Sequence, residues 1–245
     1  MRTRSLLLAI GGIVALMFLA AATVGTGPDR LGPPPTSGRG IADDVDPDTP
    51  RPSVDPLPGS IDVALWARET APRADVPERA LQGYAAAELA QRRRTPTCGL
   101  SWTTLAGIGS VESRHATLGG ARLDADGRAS PPIVGVALDG SGGTGAVADT
   151  DGGRLDGDPE HDRAVGPMQF LPGTWATFGA DGNGDGVRDP QQIDDAALAS
   201  AGYLCAGDRD TSTGRGWWSS VLAYNASRDY AGEVWDAADR YAAAQ

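Results

Sequence analysis

From Ile61 onward apolar residues return every three or four positions, the spacing that gathers them on one face of an α-helix. The pattern predicts a short helix over Ile61–Thr70 and a longer one over Asp75–Arg94, in which Leu81, Tyr84, Ala85 and Leu89 make the inward face. Asp75 and Glu78 have the spacing of a capping box, Pro77 suits a first helical turn, and Pro96 ends the element. Ser101 is placed to cap the next helix, whose apolar face of Trp102, Leu105 and Ile108 ends in Glu112. Between Leu118 and Val165 the helical period is lost. Gly, Asp and Pro punctuate short apolar pieces such as Ile133–Leu138, which predicts a loop-rich excursion with one small hairpin. Gly166–Pro167 then reads as a turn, Met168–Leu171 as a packed piece, and Pro172 as the start of a helix containing Trp175 and Phe178. A helix from Gln191 carries Ile193, Ala196, Ala197, Ser200, Ala201 and Leu204 on its inner face; two more follow over Trp217–Ala226 and Asp229–Ala244.

A carboxylate at the end of a buried face changes the picture. Glu occurs only at 69, 78, 88, 112, 160 and 233, and Glu112 alone ends an apolar run. One reading pairs it with Arg114 or with solvent, the usual fate of a charged side chain. The other leaves it partly desolvated, which raises its pKa and keeps a proton ready for general acid work near neutrality. Gln169, between Met168 and Phe170, poses a similar question, because a buried amide needs hydrogen-bond partners and a sugar offers them.

The N-terminal part is of another kind. Arg2 and Arg4 precede an uncharged apolar stretch from Leu6 to Val24, longer than a typical signal core and close to a bilayer span, so residues 1–24 read as a signal peptide or membrane anchor. Residues 25–59 are rich in Pro, Gly, Asp and Ser without an apolar period and read as a disordered linker. Residues 60–245 remain as the folded domain. The chain of 245 residues carries a net charge of -11, and its basic residues are all Arg. Nucleic acid and anionic membrane surfaces both require a basic footprint, so neither is expected as the main partner.

Two further signals concern stability. Asp181, Asn183 and Asp185 alternate with glycines, Gly186 stands at the sixth place and Val187 offers a carbonyl at the seventh, as in the first half of an EF-hand calcium loop. The twelfth place is Gln192, a poor substitute for a bidentate Glu, and Asp195 stands three residues later to close such a site. The stretch Asp149–Asp158, equally acidic, has no regular ligand spacing and reads as a solvated turn. Cys98 and Cys205 are the only cysteines, and an exported domain pairs them.

Taken together, Leu105–His115, Gly166–Trp175, the Asp181–Gly186 loop with Asp195, and Tyr224–Asn225 resemble the lytic murein transglycosylases of the membrane-bound B type, in order, over about residues 75–245. The resemblance implies a mainly α, lysozyme-like helical domain with a substrate groove and an EF-hand-like calcium loop, to which the residue pattern adds the loop-rich insertion with a small hairpin. It implies Glu112 as the catalytic acid, then base; Met168, Gln169, Phe170, Tyr224 and Asn225 as substrate-binding residues; and Ca2+ held by Asp181, Asn183, Asp185, Val187 and Asp195. The substrate would be peptidoglycan glycan strands, cut between N-acetylmuramic acid and N-acetylglucosamine to leave 1,6-anhydromuramic ends. Two alternatives remain at this point. A goose-lysozyme-like hydrolase needs a second carboxylate, for which the Asp residues at 124–126 or 149–162 are candidates, and a calcium-stabilised wall-binding module needs no acid. All three readings place the domain outside the cytoplasm, secreted to the wall or held at the outer face of the membrane by residues 1–24.

Overall fold

A computed structural model describes residues 49–141 and 145–244. The expected leader or anchor at 1–24, and the linker as far as 48, lie outside the described residues. Helices dominate: α1 (Val63–Ala74), α2 (Glu78–Arg94), α3 (Trp102–Ser113), α4 (Pro172–Phe178), α5 (Ile193–Leu204), α6 (Gly214–Tyr224) and α7 (Arg228–Ala242). Two short antiparallel pairs interrupt them, β1 (Arg122–Leu123) with β2 (Ala129–Ser130) and β3 (Val134–Ala137) with β4 (Arg163–Val165). The excursion between α3 and α4 therefore holds two small pairs where the sequence predicted one hairpin.

α3 is the centre of the domain. Trp102, Leu105 and Ile108 are buried as the periodicity predicts, but Thr103, Thr104, Ala106, Gly107 and Gly109 are buried as well. A helix enclosed on nearly all sides lies inside the fold rather than on its surface. It packs most extensively against α7 on one side and reaches α2 on another. Small residues permit that approach: a methyl group at Gly109 would overlap the Tyr84 hydroxyl of α2, and one at Gly107 would press on the Val234 carbonyl of α7.

Several local expectations are corrected by the packing. The capping box at Asp75 does not form. Asp75 instead closes α1 with φ of 53°, and α2 starts after Pro77 without a side-chain cap. Ser101 makes no capping bond to α3 either. That role falls to Glu88 on α2, whose Oε2 accepts the Trp102 N–H at 2.8 Å and whose Oε1 accepts the Leu57 N–H at 2.9 Å. Burial of Glu88 raises its pKa, and the two backbone donors and Arg92 oppose that rise.

The linker expected through Gly59 is packed chain over its last residues. Leu57 is buried, and its carbonyl accepts a bond from Arg92 at 2.7 Å. The Pro50 carbonyl accepts both the Trp218 and the Trp235 indole N–H, at 3.0 and 3.2 Å. A proline-rich strand has a solvated backbone and little ordering entropy left to lose, which suits it to an aromatic cradle of this kind. The Cys98–Cys205 disulfide joins the approach to α3 with the end of α5. Thr211 reinforces the junction, donating its N–H and hydroxyl to the Cys98 carbonyl at 2.6 and 2.8 Å.

Candidate active site

Glu112 sits in the last turn of α3 and is 5% exposed. Burial raises its pKa to about 8, against the opposing effect of a hydrogen bond from Tyr230. The Tyr230 hydroxyl donates to Oε1 at 2.6 Å. Sequence reasoning missed Tyr230, which lies 118 residues away on α7. The alternative pairing of Glu112 with Arg114 does not occur: Arg114, itself in a left-handed conformation, is exposed, while Glu112 is buried against Tyr230.

Residues 165–170 form a tight hairpin, in which Val165 and Phe170 exchange N–H···O bonds of 2.8 and 2.9 Å. The Ser113 hydroxyl, one residue after Glu112, donates to the Pro167 carbonyl at 2.7 Å and so fastens this hairpin to the end of α3. Met168 and Phe170 face the core and are fully buried. Gln169 keeps exposed surface, with a φ of 49°, and its amide donates to the Gly166 carbonyl at 3.0 Å. Tyr224 ends α6, and its hydroxyl donates to the Met168 carbonyl at 2.7 Å with Ser200 Oγ at 3.2 Å. Tyr224 thus holds the hairpin's backbone. Asn225 is 1% exposed, yet neither atom of its side-chain amide has a partner among the described residues. A buried amide without partners is costly and calls for a ligand or an ordered water.

The acidic loop after α4 is curled by its own side chains. Asp181 accepts the N–H groups of Gly184 and Gly186 at 2.7 and 2.9 Å, and Asp185 accepts that of Val187 at 2.7 Å. Gly186 takes φ of 87°, the left-handed conformation a sharp turn needs at the sixth place. Asn183 Oδ1 accepts the Asp185 N–H at 3.0 Å, and Val187 is exposed. Gln192 has another occupation, since its Oε1 caps α5 by accepting the Asp194 and Asp195 N–H groups. Asp195 is buried beneath the loop, accepting the Gly182 and Asp189 N–H groups at 2.6 and 2.9 Å. Its burial raises its pKa, and nearby Asp181 adds to the rise. Among the described residues no three His, Cys, Asp or Glu side chains gather as a metal-ligating group. A cation here would have to draw on the Asn183 amide oxygen and the Val187 carbonyl as well.

Most of the carboxylates considered for a second catalytic group are occupied by partners near them. Asp149 accepts N–H groups from 151, 152 and 153, Asp158 binds Arg163, and Asp162 accepts the Thr150 N–H and hydroxyl. Asp124 accepts the Arg128 N–H, whereas the bonds that Asp126 accepts from Arg79 and Gln192 go to its backbone carbonyl and leave its carboxylate out. Among the described residues none of them hydrogen-bonds to Glu112 or to Tyr230.

Residues 163–221 match the transglycosylase SLT domain family. That span includes the hairpin with Gln169 and the acidic loop, and leaves Glu112, Asn225 and Tyr230 outside. No curated protein matches the chain. A similar solved structure is the Escherichia coli lytic transglycosylase Slt35 in complex with bulgecin A, at 16% identity over 76% of this chain and 80% of that chain, with a TM-score of 0.41.

Proposed function

We propose that the protein is a peptidoglycan lytic transglycosylase of lysozyme-like fold in which Glu112 serves first as general acid and then as general base. The observation that carries the proposal is a buried glutamate held protonated near neutral pH by its surroundings, with Tyr230 on one oxygen only. The match of residues 163–221 to the transglycosylase SLT domain supports it.

The chemistry follows from that asymmetry. Tyr230 donates to Oε1, so the carboxyl proton belongs on Oε2, free to pass to the oxygen of the scissile glycosidic bond. As the bond between N-acetylmuramic acid and N-acetylglucosamine breaks, positive charge grows at the muramic C1 and the glutamate becomes ionised. The Tyr230 bond strengthens on the ionised form, which then accepts the proton of the muramic 6-hydroxyl as that oxygen closes on C1. No water enters, and the product is a 1,6-anhydromuramic end. Hydrolysis by the usual two-carboxylate route needs a second acidic group beside the first. The hydrogen bonds that Asp124, Asp149, Asp158 and Asp162 already make within the excursion favour the non-hydrolytic route. Gln169 and the unpartnered Asn225 amide are the groups for substrate amides and hydroxyls, while Met168, Phe170 and Tyr224 shape the hairpin that presents Gln169.

Calcium belongs to the same proposal. The donors of Asp181, Asn183, Asp185, Val187 and Asp195 are all oxygens, the chemistry a hard cation takes, and Ca2+ would offset the acidic pair Asp181 and Asp195. Its role is structural, because the loop precedes α5 rather than carrying the acid. A chelator is expected to lower the melting temperature of the wild type and to leave Asp181→Ala unmoved, whereas an identical wild-type melt with and without chelator removes the cation from the account. Export is proposed on the apolar 6–24 stretch together with the disulfide, which persists in an oxidising compartment.

Mass spectrometry of the soluble products from purified peptidoglycan tests the reaction. Muropeptides lighter by one water than reducing-end forms are the expected result. Reducing ends would indicate a hydrolase, and co-sedimentation without release a binding module.

A further inference from the structure

The backbone just past the acid is strained. Arg114, His115 and Ala116 take φ of 52°, 57° and 65° in succession, and none is glycine. Residues with a Cβ avoid the left-handed region, so such a run persists only where its surroundings over-determine it. The Arg114 and His115 N–H groups donate to the Ser110 and Gly109 carbonyls at 3.0 and 2.8 Å, and the Ala116 N–H to Ser113 Oγ at 2.8 Å. The turn sends the His115 ring back alongside α3. There its Nδ1 lies 3.1 Å from the Tyr84 hydroxyl of α2, and its Nε2 lies 2.9 Å from the Tyr241 hydroxyl of α7.

A neutral imidazole has one donor and one acceptor, so it serves two tyrosine hydroxyls, one in each direction. Burial favours this neutral form, lowering the His115 pKa to about 4. The consequence for the acid runs through α7, which meets the acid's helix and its turn twice. Near its start Tyr230 holds Glu112, and near its end Tyr241 holds His115. Tyr241 also stacks on Trp102 at the opposite end of α3, so the two helices are fixed in register along their length.

We propose that His115 is a positioning residue: by joining Tyr84 and Tyr241 through one neutral ring, it fixes α7 against α3 and so keeps the Tyr230 hydroxyl on Glu112. This rests on the reading of Glu112 as the acid. The titratable groups that face His115 are Tyr84 from α2 and Tyr241 from α7, with Arg114, Arg240 and Asp75 around the pocket beside the ring. Glu112 faces Tyr230 and, farther off, Tyr224, while Glu233 acts on Tyr230.

The test uses full-length His115→Gln and Tyr241→Phe, with Tyr230→Phe as reference and Glu112→Gln as control, followed by kcat, KM and the pH profile of cleavage. The wild type should lose activity as pH rises through about 8, where Glu112 ionises. Tyr230→Phe removes a bond that favours the ionised form, so this alkaline limb moves upward. The two His115-network variants are expected to move it upward by less, with kcat down about tenfold, the order of one lost hydrogen bond to a charged group, and KM within about twofold. Should His115→Gln fail to fold, Tyr241→Phe decides the matter, since it removes one hydroxyl from an otherwise retained ring. A limb that stays in place or moves down, with only the melting temperature reduced, makes His115 structural and overturns the proposal. Activity retained in Glu112→Gln is a different result, which removes the acid reading itself.

Discussion

Glu112→Gln is expected to lower cleavage by more than about 10³-fold, within the range a general acid contributes, while leaving the domain folded. The amide keeps the shape and can still accept the Tyr230 hydroxyl, but it has no proton to give and cannot return as a base. Cleavage within tenfold of wild type would take Glu112 out of the mechanism. The same variant has a second signature, in stability. A carboxyl whose pKa rises from 4.5 to about 8 on folding binds its proton more tightly in the native state. Stability from this group is therefore fully present below pH 4.5 and lost as pH rises through 8, on the order of 5 kcal/mol at most. His115 acts in the opposite sense. Its pKa falls from 6.5 to about 4, so its contribution is present above 6.5 and lost as pH falls through 4. Glu112→Gln removes the alkaline loss and spares the acidic one. Denaturant melts at pH 5 and pH 8 should show the variant gaining on the wild type only at the higher pH. An equal difference at both would mean that Glu112 titrates normally.

Removing the disulfide is the second large expected effect. Cys98 and Cys205 are 107 residues apart, and opening a loop of that length costs about 4–5 kcal/mol in the chain-entropy model. For a domain of this size that corresponds to a fall in melting temperature of roughly 10–15 °C. Cys98→Ser with Cys205→Ser, melted beside the oxidised wild type, measures it. A fall under about 2 °C would show that the unfolded chain is already restrained without the bond. The effect should reach the site, because the Cys98 segment leads directly into α3 and Cys205 closes the helix that follows the acidic loop.

The burial of Glu112 was legible in the sequence because it breaks a pattern: after Trp102, Leu105 and Ile108 comes a carboxylate where another apolar residue belongs. Its partner was not legible. Tyr230 shares the inward face of α7 with Val234 and Tyr241, and along the chain it is one more large core residue. Only the antiparallel packing of α7 on α3 turns it toward Glu112. Asp75 shows the converse error. It has the right letter at the right spacing for a cap, but the preceding helix claimed it first, and a left-handed C-terminus cannot also serve as an N-cap. Ser101 likewise gave way to a long-range partner, since Glu88 reaches the start of α3 from another helix. Leu57 was hidden by its surroundings: an isolated apolar residue between prolines has no period, and its backbone is held by Glu88 and Arg92 of α2, far away in sequence. The acidic loop was legible in its letters and spacing, and its curl follows from short side chains binding the nearest N–H groups.

The strand from 49 to 57 also has a mechanical meaning. A pull arriving from the N-terminal side meets the Pro50 carbonyl first, where two indole N–H groups from different helices share the load. Leu57 lies further along the chain, and through Glu88 it is joined to the first residue of the helix that carries Glu112. The tryptophan pair is in effect a strain relief, of the kind that keeps a tugged cable from working loose at its terminal.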